Sequence, residues 1–412
     1  MNEQEAITKE DIKATSFETL EMFARSQIQS WLQRLLEEEV GLLLGRERYE
    51  RKGPVDPMPG YRNGLGKPRD VAMSCGTITV RRPRVRGLEE RFESRILPLF
   101  KRQTKEVREL LPELYLHGLA ERDFELALRG LLGNAAPLSP SSIARLKARW
   151  IEDYDQWRKA PIEGELVYAW ADGIYVKAGL EKEKAALLVV IGAFVDGTKR
   201  VLAVDAGWRE SKESWAAVLR SLVARGMSVP RLVVADGALG LWAAIADLGW
   251  DSQEQRCWNH KIGNVVDALP LKEQAAAQEL VKRIPQAETK ERAEDLRDEF
   301  VKRYQARHPK ACERLLNDWN RMVSFYAFPK EHWKHLRTSN VVESPFASLR
   351  LRTGAAKRFK RVENAEAILW KLLLVAEKNF RRLDAPELLP SVAAGEAYVN
   401  GVRKQRSRTH AA

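Results

Sequence analysis

Residues 232–260 read LVVADGALGLWAAIADLGWDSQEQRCWNH, and this stretch decides how the rest of the chain is read. An apolar run, Leu232 to Ala235, ends in Asp236-Gly237. Leu241, Ala244, Ile245 and Leu248 then recur at helical spacing. A second short run leads to Cys257, Trp258, Asn259 and His260. The order is strand, acid at the strand end, helix, strand, then a cluster of metal-capable side chains. Ligands of open α/β sheets bind at the carboxyl ends of strands. Asp236 is therefore a site candidate on position alone.

The same pattern extends upstream. Leu166 to Ala171 precedes Asp172-Gly173, Leu187 to Val195 is strongly apolar, and Arg200 to Val204 forms another run. From Trp208 to Arg225, the residues Trp215, Val218, Leu219 and Leu222 fall on one helical face. Three strands, a helix, a strand and a helix is the order of an α/β RNase H-like core. That core is expected over 161–268 and 337–384. Residues 269–336 have helical periodicity with outer-face charges, and read as an all-α insertion domain. Pro270, Pro285 and Pro309 should mark its helix boundaries. Downstream, Thr338 or Ser339 is placed to cap a helix carrying Glu343. Pro345 is tolerated only in a first turn, so that helix should open near Val342. A further helix is expected over 362–383, and residues 385–412 form a C-terminal tail.

The N-terminal part differs in character. Residues 1–48 form a helical region with a broad apolar stripe through Phe17, Ile28, Trp31, Leu32 and Leu36, suited to a core or a dimer interface. Residues 49–103 are rich in Gly, Pro and Arg, with loop expected through Asp70. A short strand at Ile78 then runs into Arg81-Arg82-Pro83-Arg84-Val85-Arg86. Extended Arg-Pro-Arg chain can lie along a phosphate backbone or stand as a solvated loop. Residues 104–160 return to helix. Within them LSPSSIARLKARW, 138–150, resembles the second half of a helix-turn-helix, with Arg145 and Lys147 on the presented helix.

Among 412 residues the net charge is +12, with 44% hydrophobic and 31% charged side chains. This is globular composition with a basic excess that favours an anionic partner, most simply nucleic acid. Three scattered cysteines suit no disulfide framework. The polar N-terminus is not a signal peptide, and no apolar run is long enough to span a bilayer. A cytoplasmic, nucleoid-associated protein without a membrane partner is expected.

Asp172, Asp236 and Glu343 are three acids on three elements. Carboxylates gathered at one point cannot all stay charged without a counter-charge. Two Mg²⁺ (or Mn²⁺) ions would supply it, since Mg²⁺ favours carboxylate oxygen and substrate phosphate. Two ions about 3.5–4 Å apart can activate a hydroxyl and stabilise the leaving oxygen of a phosphodiester. Each acid also has a plainer reading. Asp-Gly is a common turn dipeptide, and an acid in a first helical turn is favoured by the helix dipole. Asp205 also ends a strand and competes. Cys257-x2-His260 is half a zinc site without a matching second half. Its alternative is a buried Cys beside a His that contacts DNA or a carboxylate, or assists leaving-group protonation.

These residues resemble one family. Asp236-x3-Gly240-Leu241 with Gln255-x-Cys257-x2-His260 is similar to the motif of mutator-type bacterial insertion-sequence transposases. Gly60-Tyr61-Arg62-Asn63-Gly64 and Pro83-Arg84-Val85-Arg86 resemble its basic N-terminal segment. The run from Ala171 to Lys177 resembles its first catalytic strand, and that from His332 to Ser344 its last catalytic block. The resemblance implies an RNase H-like core with Asp172, Asp236 and Glu343 as catalytic, metal-holding triad. It implies a DNA transposase that cuts element ends at terminal inverted repeats, joins them to target DNA, and acts as a homodimer or larger multimer. Arg62, Arg82, Arg84, Arg86, Arg145, Lys147, Arg337, Arg350, Arg352, Arg358 and Lys360 are the expected DNA contacts. One departure is Ser344-Pro345-Phe346, where many members carry a Leu-Asn-Arg type sequence. The alternatives are an RNase H-like nuclease or resolvase without strand transfer, and a non-catalytic DNA-binding regulator.

Overall fold

The computed structural model describes residues 20–46, 49–50, 60–98, 104, 140–179, 184–237, 239–356 and 358–404. The first helix and turn of the helix-turn-helix expectation, and the end of the C-terminal tail, lie outside the described residues. The chain divides into two compact units, Met1–Leu146 and Lys147–Ala412.

In the first unit, helix α1 (Leu20–Leu44) lies on an antiparallel hairpin of β1 (Tyr61–Met73) and β2 (Gly76–Arg86). Leu36 packs with Val71, Ile78, Val80 and Leu97, and Ile28 and Leu32 border this cluster. Trp31, from the same expected stripe, is exposed. Strand β1 corrects the loop expected through Asp70. Its Gly and Pro residues sit where the register shifts, between Arg62 and Leu65 and between Leu65 and Pro68. A two-stranded ribbon has an open edge on each strand, where proline is tolerated.

The second unit is built on a mixed five-stranded sheet of β3 (Leu166–Val176), β4 (Ala185–Phe194), β5 (Lys199–Gly207), β6 (Leu232–Ala235) and β7 (Gln253–Arg256). The spatial order is β5-β4-β3-β6-β7. The first three strands are antiparallel neighbours, whereas β6 pairs parallel with β3 and with β7. Parallel neighbours need a crossover. After helix α2 (Pro140–Trp157) in chain order, helix α3 (Lys212–Ala224) leads into β6 and α4 (Leu239–Asp247) joins β6 to β7. Both cover one face of the sheet. Trp215, Leu219 and Leu222 of α3, with Leu241 and Ile245 of α4, pack on Ala169, Ala171, Leu188 and Val233. Burying each large apolar side chain stabilises the fold by roughly 1.5–3 kcal/mol. Ser211 caps α3, its hydroxyl accepting from Ser214 N.

Leu271–Leu336 is helical, as its periodicity predicts. Pro270 is the N-cap of the helix Leu271–Arg283, Pro285 lies in a 3-10 turn, and Pro309 opens the helix Pro309–Leu316. Two expected details differ. Strand β7 stops at Arg256. Cys257 caps helix α5 (Trp258–Val266), so His260 is in the first turn of a helix rather than on a strand. Glu343 ends a short helical turn, Asn340–Glu343, instead of opening a long helix. Proline cannot donate into a continuing helix, and after Pro345 a separate helix runs from Phe346 to Ala356.

Candidate active site

Strands β3 and β6 place two of the acids. Their parallel pairing ends at Ala171 opposite Ala235, so Asp172 and Asp236 follow side by side. Ala169, Ala171, Val233 and Ala235 face the α3–α4 core. Side chains alternate along a strand, which turns Trp170 and Asp172 to the other face. Gly237 takes φ of 110° after Asp236. A side chain there would be strained and would meet the Arg256 guanidinium. Arg256 Nε donates to the Asp236 carbonyl at 3.1 Å and its Nη1 to Asp318 Oδ2 at 2.7 Å, which holds the loop after β6.

Glu343 comes from the far side of the helical segment, and hydrogen bonds between residues about eighty apart bring it in. Trp258 N donates to the Arg337 carbonyl at 2.9 Å, Asn259 Nδ2 to Asn340 Oδ1 at 3.0 Å, and Ser339 N to Cys257 Sγ at 3.3 Å. The Ser339 hydroxyl donates to Glu343 Oε1. His260 Nδ1 lies 3.7 Å from the same oxygen, within electrostatic attraction but beyond a hydrogen bond.

The acids act on one another. Burial pushes the Asp172 carboxyl up to about 7, and repulsion from Asp236, Glu343 and Glu210 adds to it. The Gly173 N–H, donating to Asp172 Oδ1 at 2.8 Å, opposes that rise. His260 is raised to about 9, chiefly by Cys257 beside it, against burial, with help from the negative charges of Glu343 and Asp236. Burial pushes the Cys257 thiol up, but the neighbouring His260 and the hydrogen bond from Ser339 outweigh it and hold the thiol below its ordinary value. A protonated His260 thus stands among carboxylates at neutral pH.

Among the described residues, donor atoms of Cys257, His260 and Glu343 gather within 4.8 Å of one another; Asp172, Asp236 and Glu343 do not form so tight a group. The zinc half-site therefore gains a third donor and no fourth. The Asp172–Asp236 side fits a hard divalent cation. Its donors are carboxylate oxygens, and burial, with repulsion from neighbouring acids, raises one of them to about 7, a cost to its charge that a bound cation relieves.

Asp205 lies elsewhere. It pairs with Arg158 Nη2 at 2.9 Å and neighbours the Tyr154 hydroxyl, and it is not among the charges acting on Asp172. Sequence reasoning missed Glu210. It follows β5 as Asp236 follows β6, but three residues into the loop and without the Asp-Gly signature; Asp172, expected at a strand end, lies within β3, which pairs on to Val176.

The basic candidates divide by position. Arg84 and Arg86 are exposed on β2, with Arg62 and Arg82 half-buried on the same hairpin. Arg145 is exposed and Lys147 half-buried on the helix Pro140–Trp157. Arg350, Arg358 and Lys360 are exposed. Arg337 points inward, donating to Trp333 O at 3.2 Å, Gln286 Oε1 at 3.0 Å and the Pro285 carbonyl. Arg352 is 4% exposed.

Comparison with known proteins finds related sequences. The family model described as "Transposase, Mutator family" matches residues 1–382. The chain is 41% identical over 294 residues to the transposase for insertion sequence element IS6120 of Mycolicibacterium smegmatis, covering 71% of this chain and 91% of that protein. It is 38% identical to the transposase for insertion sequence element IST2 of Acidithiobacillus ferrooxidans, covering 67% and 94%. It is 27% identical to the transposase for insertion sequence element ISRM5 of Rhizobium meliloti, covering 86% and 88%.

Proposed function

The chain belongs to the Mutator family of transposases, and from that membership we propose that it cleaves DNA at the ends of an insertion element and joins them to target DNA. The relatives are named as transposases of insertion elements, and DNA is the partner the family implies. The strand order β5-β4-β3-β6-β7 supports an RNase H-like core interrupted by the helical segment. One observation carries the catalytic assignment. Asp172 within β3 and Asp236 at the end of β6 lie side by side on adjacent parallel strands, and Asp236 and Glu343 add to the burial that disfavours charge on Asp172.

Asp172, Asp236 and Glu343 would hold Mg²⁺ or Mn²⁺. When bound, such ions lower the pKa of attacking water and neutralise charge on the phosphate and its leaving oxygen. The chain's own residues do the rest. The acids fix where the phosphodiester is attacked. In cleavage, the water oxygen bonds to phosphorus, the P–O3′ bond breaks, and the departing 3′-oxygen takes a proton. In joining, that 3′-hydroxyl attacks a target phosphodiester and displaces the target strand's 3′-oxygen. His260, positively charged and 3.7 Å from Glu343, orients that carboxylate. Arg350, Arg358 and Lys360 hold DNA phosphates. The hairpin carrying Arg62, Arg82, Arg84 and Arg86, and the helix carrying Arg145 and Lys147, bind the inverted repeats, and the working form is a multimer.

Labelled element ends incubated with target plasmid and Mg²⁺ test this. Wild-type chain should yield joined product, and Asp236→Asn should bind ends yet yield none. Cleaved ends without joined product would instead favour a nuclease. End binding with no product at any metal concentration would favour a DNA-binding regulator.

A further inference from the structure

Strand β6 stops at Ala235 while β3 runs on to Val176, so Gly173–Val176 extends beyond its neighbour on that side. The loop Trp208-Arg209-Glu210 between β5 and α3 comes to this stretch. A Cβ on Gly173 would lie 2.5 Å from Glu210 Oε1, so the Glu210 carboxylate rests directly against the residue after Asp172. Glu210 also lies beside Tyr175, two residues further along β3, and adds to the burial that pushes its hydroxyl up to about 12. Behind it, the loop backbone is pressed onto the start of α4. A Cβ on Gly240 would run into the Glu210 carbonyl and lie 2.8 Å from Ser211 C. Both approaches use glycines in the segments that carry Asp172 and Asp236. Their missing side chains make the space the Glu210 loop occupies. Glu210 is within electrostatic reach of both acids and of His260.

We propose that Glu210 is a fourth carboxylate of the Asp172–Asp236 pocket, a positioning residue whose charge strengthens the pocket's hold on a divalent cation; this rests on the metal-dependent reading above. Glu210 touches Gly173 and Tyr175 rather than the acids, so it acts through the field it adds. A charge several ångströms away still acts strongly on a divalent ion where water is partly excluded. Removing a carboxylate that supports a metal site from outside its direct ligands weakens binding by roughly 10–100-fold.

The test uses the full chain with Mn²⁺ as probe, binding followed by Mn²⁺ electron paramagnetic resonance, and stability by urea unfolding in EDTA. Glu210→Gln keeps a polar group beside Tyr175 and should weaken Mn²⁺ binding about tenfold, with stability in EDTA unchanged or higher. Gly173→Ala should weaken it similarly, because its Cβ displaces the carboxylate, and the double variant should bind no worse than Glu210→Gln. Wild-type Mn²⁺ affinity in Glu210→Gln, with binding lost in Asp236→Asn, overturns the role of Glu210 and leaves the metal reading intact. Unchanged affinity in Asp236→Asn overturns the metal reading and this proposal with it. Losses that multiply in the double variant, or a fall in EDTA stability for Glu210→Gln, make Glu210 a structural residue and overturn the proposal.

Discussion

Replacing Asp172 by Asn should stabilise the cation-free protein. The carboxyl is held near 7 by burial and by Asp236, Glu343 and Glu210, against an ordinary 3.8. A folded pKa above the unfolded one means the folded chain binds the proton more tightly. The stability this contributes is fully present below pH 3.8 and is lost as pH rises through 7. At about 1.36 kcal/mol per pH unit, the buried charge costs up to about 4 kcal/mol at pH 8. Asparagine removes the charge and keeps an oxygen for the Gly173 N–H, which donates to Asp172 Oδ1 at 2.8 Å. Urea unfolding in EDTA should therefore find Asp172→Asn more stable than wild type by about 2–4 kcal/mol at pH 8. The difference should vanish near pH 4. Added Mn²⁺ should close the gap by stabilising wild type alone, since a ligand of the folded state adds to its stability. A variant no more stable than wild type at pH 8, or a difference that does not grow with pH, would refute the reasoning that burial and neighbouring acids disfavour charge on Asp172.

Other outcomes follow from the same contacts. Gly240→Ala should cost about 1–3 kcal/mol or more, measured by urea unfolding, because its Cβ meets loop backbone that has nowhere to go. His335 is lowered to about 4, chiefly by burial and then by Lys199, with Asp384 3.3 Å away opposing. Its neutral form gives stability that is full above pH 6.5 and lost as pH falls toward 4, so His335→Gln should remove about 2–3 kcal/mol of acid lability between pH 7 and pH 4.5. Cys257→Ala should bring the His260 titration, followed by NMR of its ring protons, down from about 9, since Cys257 is the largest cause of its rise. Arg84→Ala with Arg86→Ala, both exposed, should lower the salt slope of DNA binding by about 2 without changing stability.

Much of this molecule was legible as pattern. Apolar runs leading into acids marked β3 and β6, although β3 pairs on past Asp172 to Val176, and the helical spacing from Leu241 to Leu248 marked α4. Prolines marked the breaks in the helical segment. Such signals are local, because periodicity and turn chemistry act over a few residues. The Gly and Pro content of 60–70 misled for the same reason. Local breakers argued for loop, while pairing of Arg62 with Val85 and Arg69 with Val80 made strand.

The sequence by itself determined the strand–acid–helix order, the three acids and the likeness to a transposase family. Tertiary structure alone decided which groups meet. Parallel pairing set Asp172 beside Asp236, and hydrogen bonds from α5 to the segment 337–340 carried Glu343 to His260 and Cys257. Asp205 was drawn to Arg158, and Glu210 was pressed against Gly173. Each of these contacts joins residues dozens of positions apart. Charge repulsion and close packing depend on distance in space, which spacing along the chain does not encode.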